Sequence, residues 1–168
     1  MKYFYKVKHN LQAGFSLVEM LIVMGLMSIL LMVLTDMFVS VLDIQTESES
    51  HSAVTQDGRF ILARLSYDLN HASSISTPAA LGGSGSTLAV VIGGVTYTYA
   101  LSIGNLQLTN DQGTNNLNSS ETTISALNVQ RLGIAAKDTV KISFTVTSVA
   151  KAKQGVDVKT FTTTAGRR

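Results

Sequence analysis

The segment GFSLVEMLIVMGLMSILLMVL, from Gly14 to Leu34, constrains this chain more than any other. About 20 predominantly apolar residues are needed to cross the hydrocarbon core of a bilayer, and Phe15 to Leu34 supplies that length. Glu19 is the only ionisable side chain in the span. A lone carboxylate at membrane depth costs a few kcal/mol on insertion scales, so Glu19 requires a function that justifies its retention.

The residues before the span, MKYFYKVKHNLQAG, carry Lys2, Lys6 and Lys8 and no acid. The positive-inside rule therefore predicts a cytoplasmic amino terminus and an outward carboxyl-terminal part. A secretory signal carries its small-residue cleavage site after the apolar region. Here the small pair Ala13-Gly14 precedes it, so cleavage there would remove the basic leader and leave the helix on the mature protein.

A Gly, then Phe, then Glu four residues further on, opening a long apolar helix, resembles the class III leader of type IV pilins and type II secretion pseudopilins. The resemblance implies cleavage by a membrane-embedded prepilin peptidase between Gly14 and Phe15, and methylation of the new amino terminus at Phe15. It also implies that Glu19 meets the terminal ammonium of a neighbouring subunit and sets its register. Physical reasoning agrees, since a buried carboxylate needs a partner and Ser16 is the only polar side chain nearby. Other pilin or pseudopilin subunits, an inner-membrane platform and an assembly ATPase are the further partners implied, and the cytoplasmic (inner) membrane is the expected location before assembly.

A formal charge of +2 becomes −1 once the three leader lysines are removed, which leaves no electrostatic footprint for nucleic acid. Cysteine is absent, so no disulfide staples the outer part, and the fold must be held by packing.

Helix spacing continues through Met37, Phe38, Val41, Leu42 and Ile44. A polar stretch, Asp43 to Asp57, then predicts a solvated helix or a partly unwound neck. An apolar stripe returns at Val54, Ile61, Leu65, Leu69 and Ala72 and predicts a half-helix lying on a packed domain. Pro78 marks the stop. Major pilins often kink their helix with a proline at the place held here by Asp36, a departure that points away from the abundant filament subunit.

Beyond Pro78, LGGSGS (Leu81 to Ser86) reads as a flexible connection. Strands are predicted at Thr87 to Ile92, Val95 to Ile103, Leu106 to Thr109, Thr139 to Val149 and Val156 to Thr163. Their turns are placed at Gly93-Gly94, Gly104-Asn105 and Gln154-Gly155. Asn110 to Ser120 reads as a polar loop and Thr123 to Leu132 as a less regular apolar segment. The expected fold is α+β: one long helix with an antiparallel meander on its second half, divided as leader 1–14, membrane half 15–42, neck and amphipathic half 43–77 and strand domain 78–168. The segment Gln56 to Ile75 is similar to the corresponding stretch of W-type minor pilins and J-type minor pseudopilins. There Arg59, beside Gly58 and Phe60, is a candidate structural contact.

No enzyme constellation, cofactor or metal site is expected. Asp57 and Asp68 read as surface charges pairing with Arg64 and Arg59. The Asn110 to Ser120 loop lacks EF-hand spacing and reads as solvated. Asn118-Ser119-Ser120 has the form of a glycosylation acceptor. The expected function is that of a minor pilin or pseudopilin, and the alternative is a permanently membrane-anchored module that binds a ligand, a surface or DNA.

Overall fold

The computed structural model describes residues 16–133 and 138–167. The chain divides into two compact units, residues 1–42 and residues 43–168. The first helix, α1, runs Leu17–His71. Ser16 caps it: its Oγ accepts the Glu19 amide at 3.2 Å, and Ser16-Leu17-Val18-Glu19 has the S-x-x-E spacing of a capping box. In the first unit, Ser28 donates to the Met24 carbonyl and Thr35 to the Leu31 carbonyl, so these hydroxyls are satisfied by the helix itself.

The polar stretch from Asp43 to Asp57 is helical throughout, not unwound. Within the second unit the helix buries Ser50, Val54, Gly58, Ile61, Leu65, Asp68 and Leu69, a stripe of 3.6-residue period. The predicted stripe residues Val54, Ile61, Leu65, Leu69 and Ala72 are all in the core.

Nine antiparallel strands follow among the described residues: β1 Ser74–Thr77, β2 Ser84–Gly85, β3 Thr87–Ile92, β4 Val95–Ser102, β5 Asn105–Asn110, β6 Gly113–Asn116, β7 Thr122–Arg131, β8 Thr139–Ala152 and β9 Gly155–Gly166. They form two sheets, ordered β1-β3-β4-β5-β6 and β2-β7-β8-β9. One core joins both sheets to the helix: Leu88, Val90, Tyr99 and Leu106 come from the first sheet, and Val129, Ile142, Phe144 and Phe161 from the second. The α+β class expected from the sequence is therefore the observed one, with two sheets in place of a single meander.

The differences have local causes. β7 reads as irregular because Ala126 has φ of 53° and the register with β8 slips between Ser125 and Asn128. Buried positions thus fall at Thr122 and Ile124 before the bulge and at Leu127 and Val129 after it, a parity change that breaks simple alternation. β6 lies inside the stretch expected to be loop. Its residues are exposed and polar, and it is held by backbone pairing with β5 and by the Gln107–Asn116 and Thr109–Thr114 side-chain bonds.

The glycine-rich connection is tied down too. Gly82 donates to the Arg131 carbonyl, Arg131 donates back to Gly83, and β2 pairs with β7. The turn after β4 falls at Ile103-Gly104, both in the left-handed region with φ of 48° and 74°, one residue earlier than expected. Asn105 is thereby drawn into β5, where Asn118 binds it.

Gly58 lies directly against the second sheet. A Cβ built there would lie 2.1 Å from Cζ of Phe161, so only glycine lets the helix sit on that ring.

Candidate functional site

In the first unit, Leu17 to Leu42 forms a helix whose large apolar side chains are exposed, from Leu17 at 77% to Leu42 at 45%. α1 is the one helix among the described residues that is long and apolar enough to cross a membrane, and none of its most apolar window is buried. Such a surface, left in water, would carry a large hydrophobic penalty, so it has to be covered by lipid or by protein.

Glu19 lies in the first turn of this helix and is exposed. The helix macrodipole favours a carboxylate at that end, and the Ser16 cap is a local feature that a search for distant partners overlooks. Gly14 and Phe15, the proposed cleavage and methylation positions, lie outside the described residues. Arg59 is exposed and makes no ion pair or hydrogen bond among the described residues.

The strand domain uses its polar side chains as internal ties. Asp68 is buried, and its carboxylate accepts from Arg64 Nε at 2.9 Å and from the Tyr99 hydroxyl. Burial, followed by the bond donated to Asp68, pushes the Tyr99 phenol well above its usual range. Arg64 is raised despite burial, which acts to lower it, because its bonds with Tyr99 and Asp68 outweigh that cost. Asp68 therefore pairs with one of the two expected arginines, Arg64, but through a carboxylate that is buried and not on the surface.

Asp57 does not pair with either arginine. Its Oδ2 accepts from the Ser119 amide at 2.9 Å, from Ser119 Oγ at 2.8 Å and from Thr122 Oγ1, which fastens α1 to the crossover between the two sheets. Asn118, whose Asn-Ser-Ser context has the form of a glycosylation acceptor, is buried. Its Nδ2 donates to Asn105 Oδ1 and to the carbonyls of Ser119 and Thr122, while its Oδ1 accepts from the Leu106 amide. An amide so engaged and enclosed is a crossover pin, not a surface acceptor.

Arg131 and Asp138 make a bidentate pair, Nε to Oδ1 at 2.8 Å and Nη2 to Oδ2 at 2.5 Å. Arg131 Nη1 also donates to the carbonyls of Ile75, Pro78 and Ala79, holding the segment after β1. The bond from Arg131 holds the Asp138 carboxyl below the usual carboxylate range against the opposing effect of burial. Sequence reading overlooked this clamp, whose partners are far apart in the chain apart from the Arg131–Asp138 spacing.

Among the clefts that flank the neck in the second unit, two also reach the strands. One, of about 570 Å³, lies between Ile44 to His51 of α1 and the β8–β9 turn, with His51 Nδ1 3.1 Å from Asp157 Oδ2 at its edge. The other, of about 440 Å³, lies between Glu49 to Gln56 and the segments around Glu121 and Val149. No group of three or more His, Cys, Asp or Glu side chains among the described residues is placed to hold a metal.

A family model for the prokaryotic N-terminal methylation motif matches residues 9–35. The match takes in the end of the leader from His9, the Gly14-Phe15 junction, Glu19 and the exposed apolar helix as far as Thr35. It supports a class III prepilin leader and, with it, a type IV pilin-type substrate of prepilin peptidase. No curated protein and no solved structure matches the chain.

Proposed function

We propose that this chain is a minor pilin or pseudopilin, a structural subunit and not an enzyme, cut between Gly14 and Phe15 and methylated at Phe15. The observation that carries the reading is the coincidence of the methylation motif at residues 9–35 with a helix whose most apolar window is nowhere buried. The helix is stored in the inner membrane, where lipid covers it. Assembly machinery, a platform protein and an ATPase, then transfers it to a short filament or its tip, where equivalent helices cover it.

Glu19 sits at the end of the helix that a neighbour's new ammonium would meet. A buried carboxylate is stabilised only when such a partner is in register, so the pair selects the correct stagger. The strand domain supplies the outer contacts, and Arg59, exposed at the start of the packed half-helix and without a partner among the described residues, is available for one of them.

Sequencing the amino terminus of the chain from cells with and without prepilin peptidase tests the reading. The expected result is a Phe15 start only when the peptidase is present. A start other than Phe15 in both backgrounds would favour the permanently anchored module instead.

A further inference from the structure

Among the described residues, the second sheet ends on β9, twelve residues with no strand on its outer side. Long regular edges invite pairing, and proteins usually guard them with proline, a bulge or a lysine. β9 contains no proline; its register with β8 slips between Thr147 and Lys151, opposite Val156 to Val158, and it offers one charge pair, Asp157 and Lys159, two residues apart on either side of Val158. Val156 and Val158 are exposed, at 46% and 55%, on the face opposite buried Phe161.

We propose that β9 is a self-complementary edge that pairs antiparallel with β9 of a second copy of this chain, centred on Val158. In an antiparallel pair, residues equidistant from the centre lie opposite one another and share a face. Centring on Val158 puts each Asp157 opposite the other copy's Lys159, twice, with Val158 on Val158 and Val156 on Thr160 between them. The lone lysine that would repel a like edge thus finds a carboxylate.

The contacts that these side chains already make leave this arrangement open. Asp157 Oδ2 faces His51, which leaves Oδ1 for the incoming ammonium, and Lys159 Nζ lies 5.6 Å over the Phe161 ring with its side chain exposed. Shifting the centre to Thr160 lengthens the overlap but sets Lys159 against Phe161 and Asp157 against Thr163, which leaves both carboxylates without a partner charge. The same shift places the valines opposite threonines. Two-fold pairing closes on itself, so it joins two chains without propagating, and it does not rest on the filament reading.

The chain has no cysteine, so Val158→Cys installs a single thiol in the full-length protein held in mild detergent. Facing residues of an antiparallel pair lie within about 4.5–5.5 Å at Cα, inside disulfide reach. Mild oxidation is expected to give several-fold more cross-linked dimer for Val158→Cys than for Thr162→Cys, which is on the same strand and sheet face but would lie opposite Gln154 in the turn. Adding Lys159→Asp to Val158→Cys is expected to remove most of that dimer, and Asp157→Lys with Lys159→Asp together to restore it, with circular dichroism confirming that each variant is folded. Equal cross-linking at 158 and 162, or a Val158→Cys dimer indifferent to Lys159→Asp, would overturn the proposal.

Discussion

Gly58 and Tyr99 carry the two most exacting residue-scale requirements of the strand domain. Replacing Gly58 by alanine places a methyl group into the Phe161 ring. Overpacking of this kind costs about 1–3 kcal/mol, and the helix-propensity gain of about 1 kcal/mol offsets only part of it. Gly58→Ala should therefore lower the urea midpoint of the folded domain, and Gly58→Val should lower it further. Tyr99→Phe removes the hydroxyl that satisfies buried Asp68, at an expected cost of about 1–3 kcal/mol in the same measurement. A Tyr99→Phe variant as stable as the parent would show that Arg64 alone satisfies Asp68.

At the scale of elements, the Arg131–Asp138 clamp joins the end of β7, the start of β8 and the segment after β1. Arg131→Leu leaves the Asp138 carboxylate uncompensated and should cost about 3–5 kcal/mol, the range for breaking one side of a buried pair. The pH dependence has a definite sign. Asp138 is more acidic folded than unfolded, so its contribution is complete above the ordinary carboxylate value of about 3.9 and is lost as pH falls through the lower folded value. The stability difference between the parent and Asp138→Asn should thus be constant near neutrality and shrink in acid, as followed by urea melts across pH.

The elements legible in the sequence were those that alternate or repeat regularly. Val140, Ile142, Phe144 and Val146 mark β8, the stripe from Val54 to Ala72 marks the packed half-helix, and Gly93-Gly94 marks its hairpin. Elements that rely on pairing alone left no such pattern. β6 has no apolar face, β7 changes parity at Ala126, and β2 is glycine and serine held by backbone bonds to β7. The polar ties were also hidden, because Asp57 reaches Ser119 across 62 positions and Tyr99 reaches Asp68 across 31. By contrast, the methylation motif is contiguous, which is why residues 9–35 are recognisable without a fold.

For the whole molecule, the decisive fact is the uncovered helix surface ahead of a well-packed strand domain. Glu19→Ala removes the only carboxylate in the Phe15 to Leu34 span, so membrane insertion should be unchanged or improved, while incorporation into filaments should fall sharply. Carbonate extraction of membranes reads the first effect and the subunit content of sheared fibres reads the second. Normal incorporation of Glu19→Ala would remove that residue from register selection.

The most direct test is the intact mass of the chain recovered from a sheared fibre fraction. The account predicts a polypeptide beginning at Phe15 and carrying one methyl group, present in fibres only when prepilin peptidase is active. A chain confined to membranes and still carrying Lys2, Lys6 and Lys8 would contradict it.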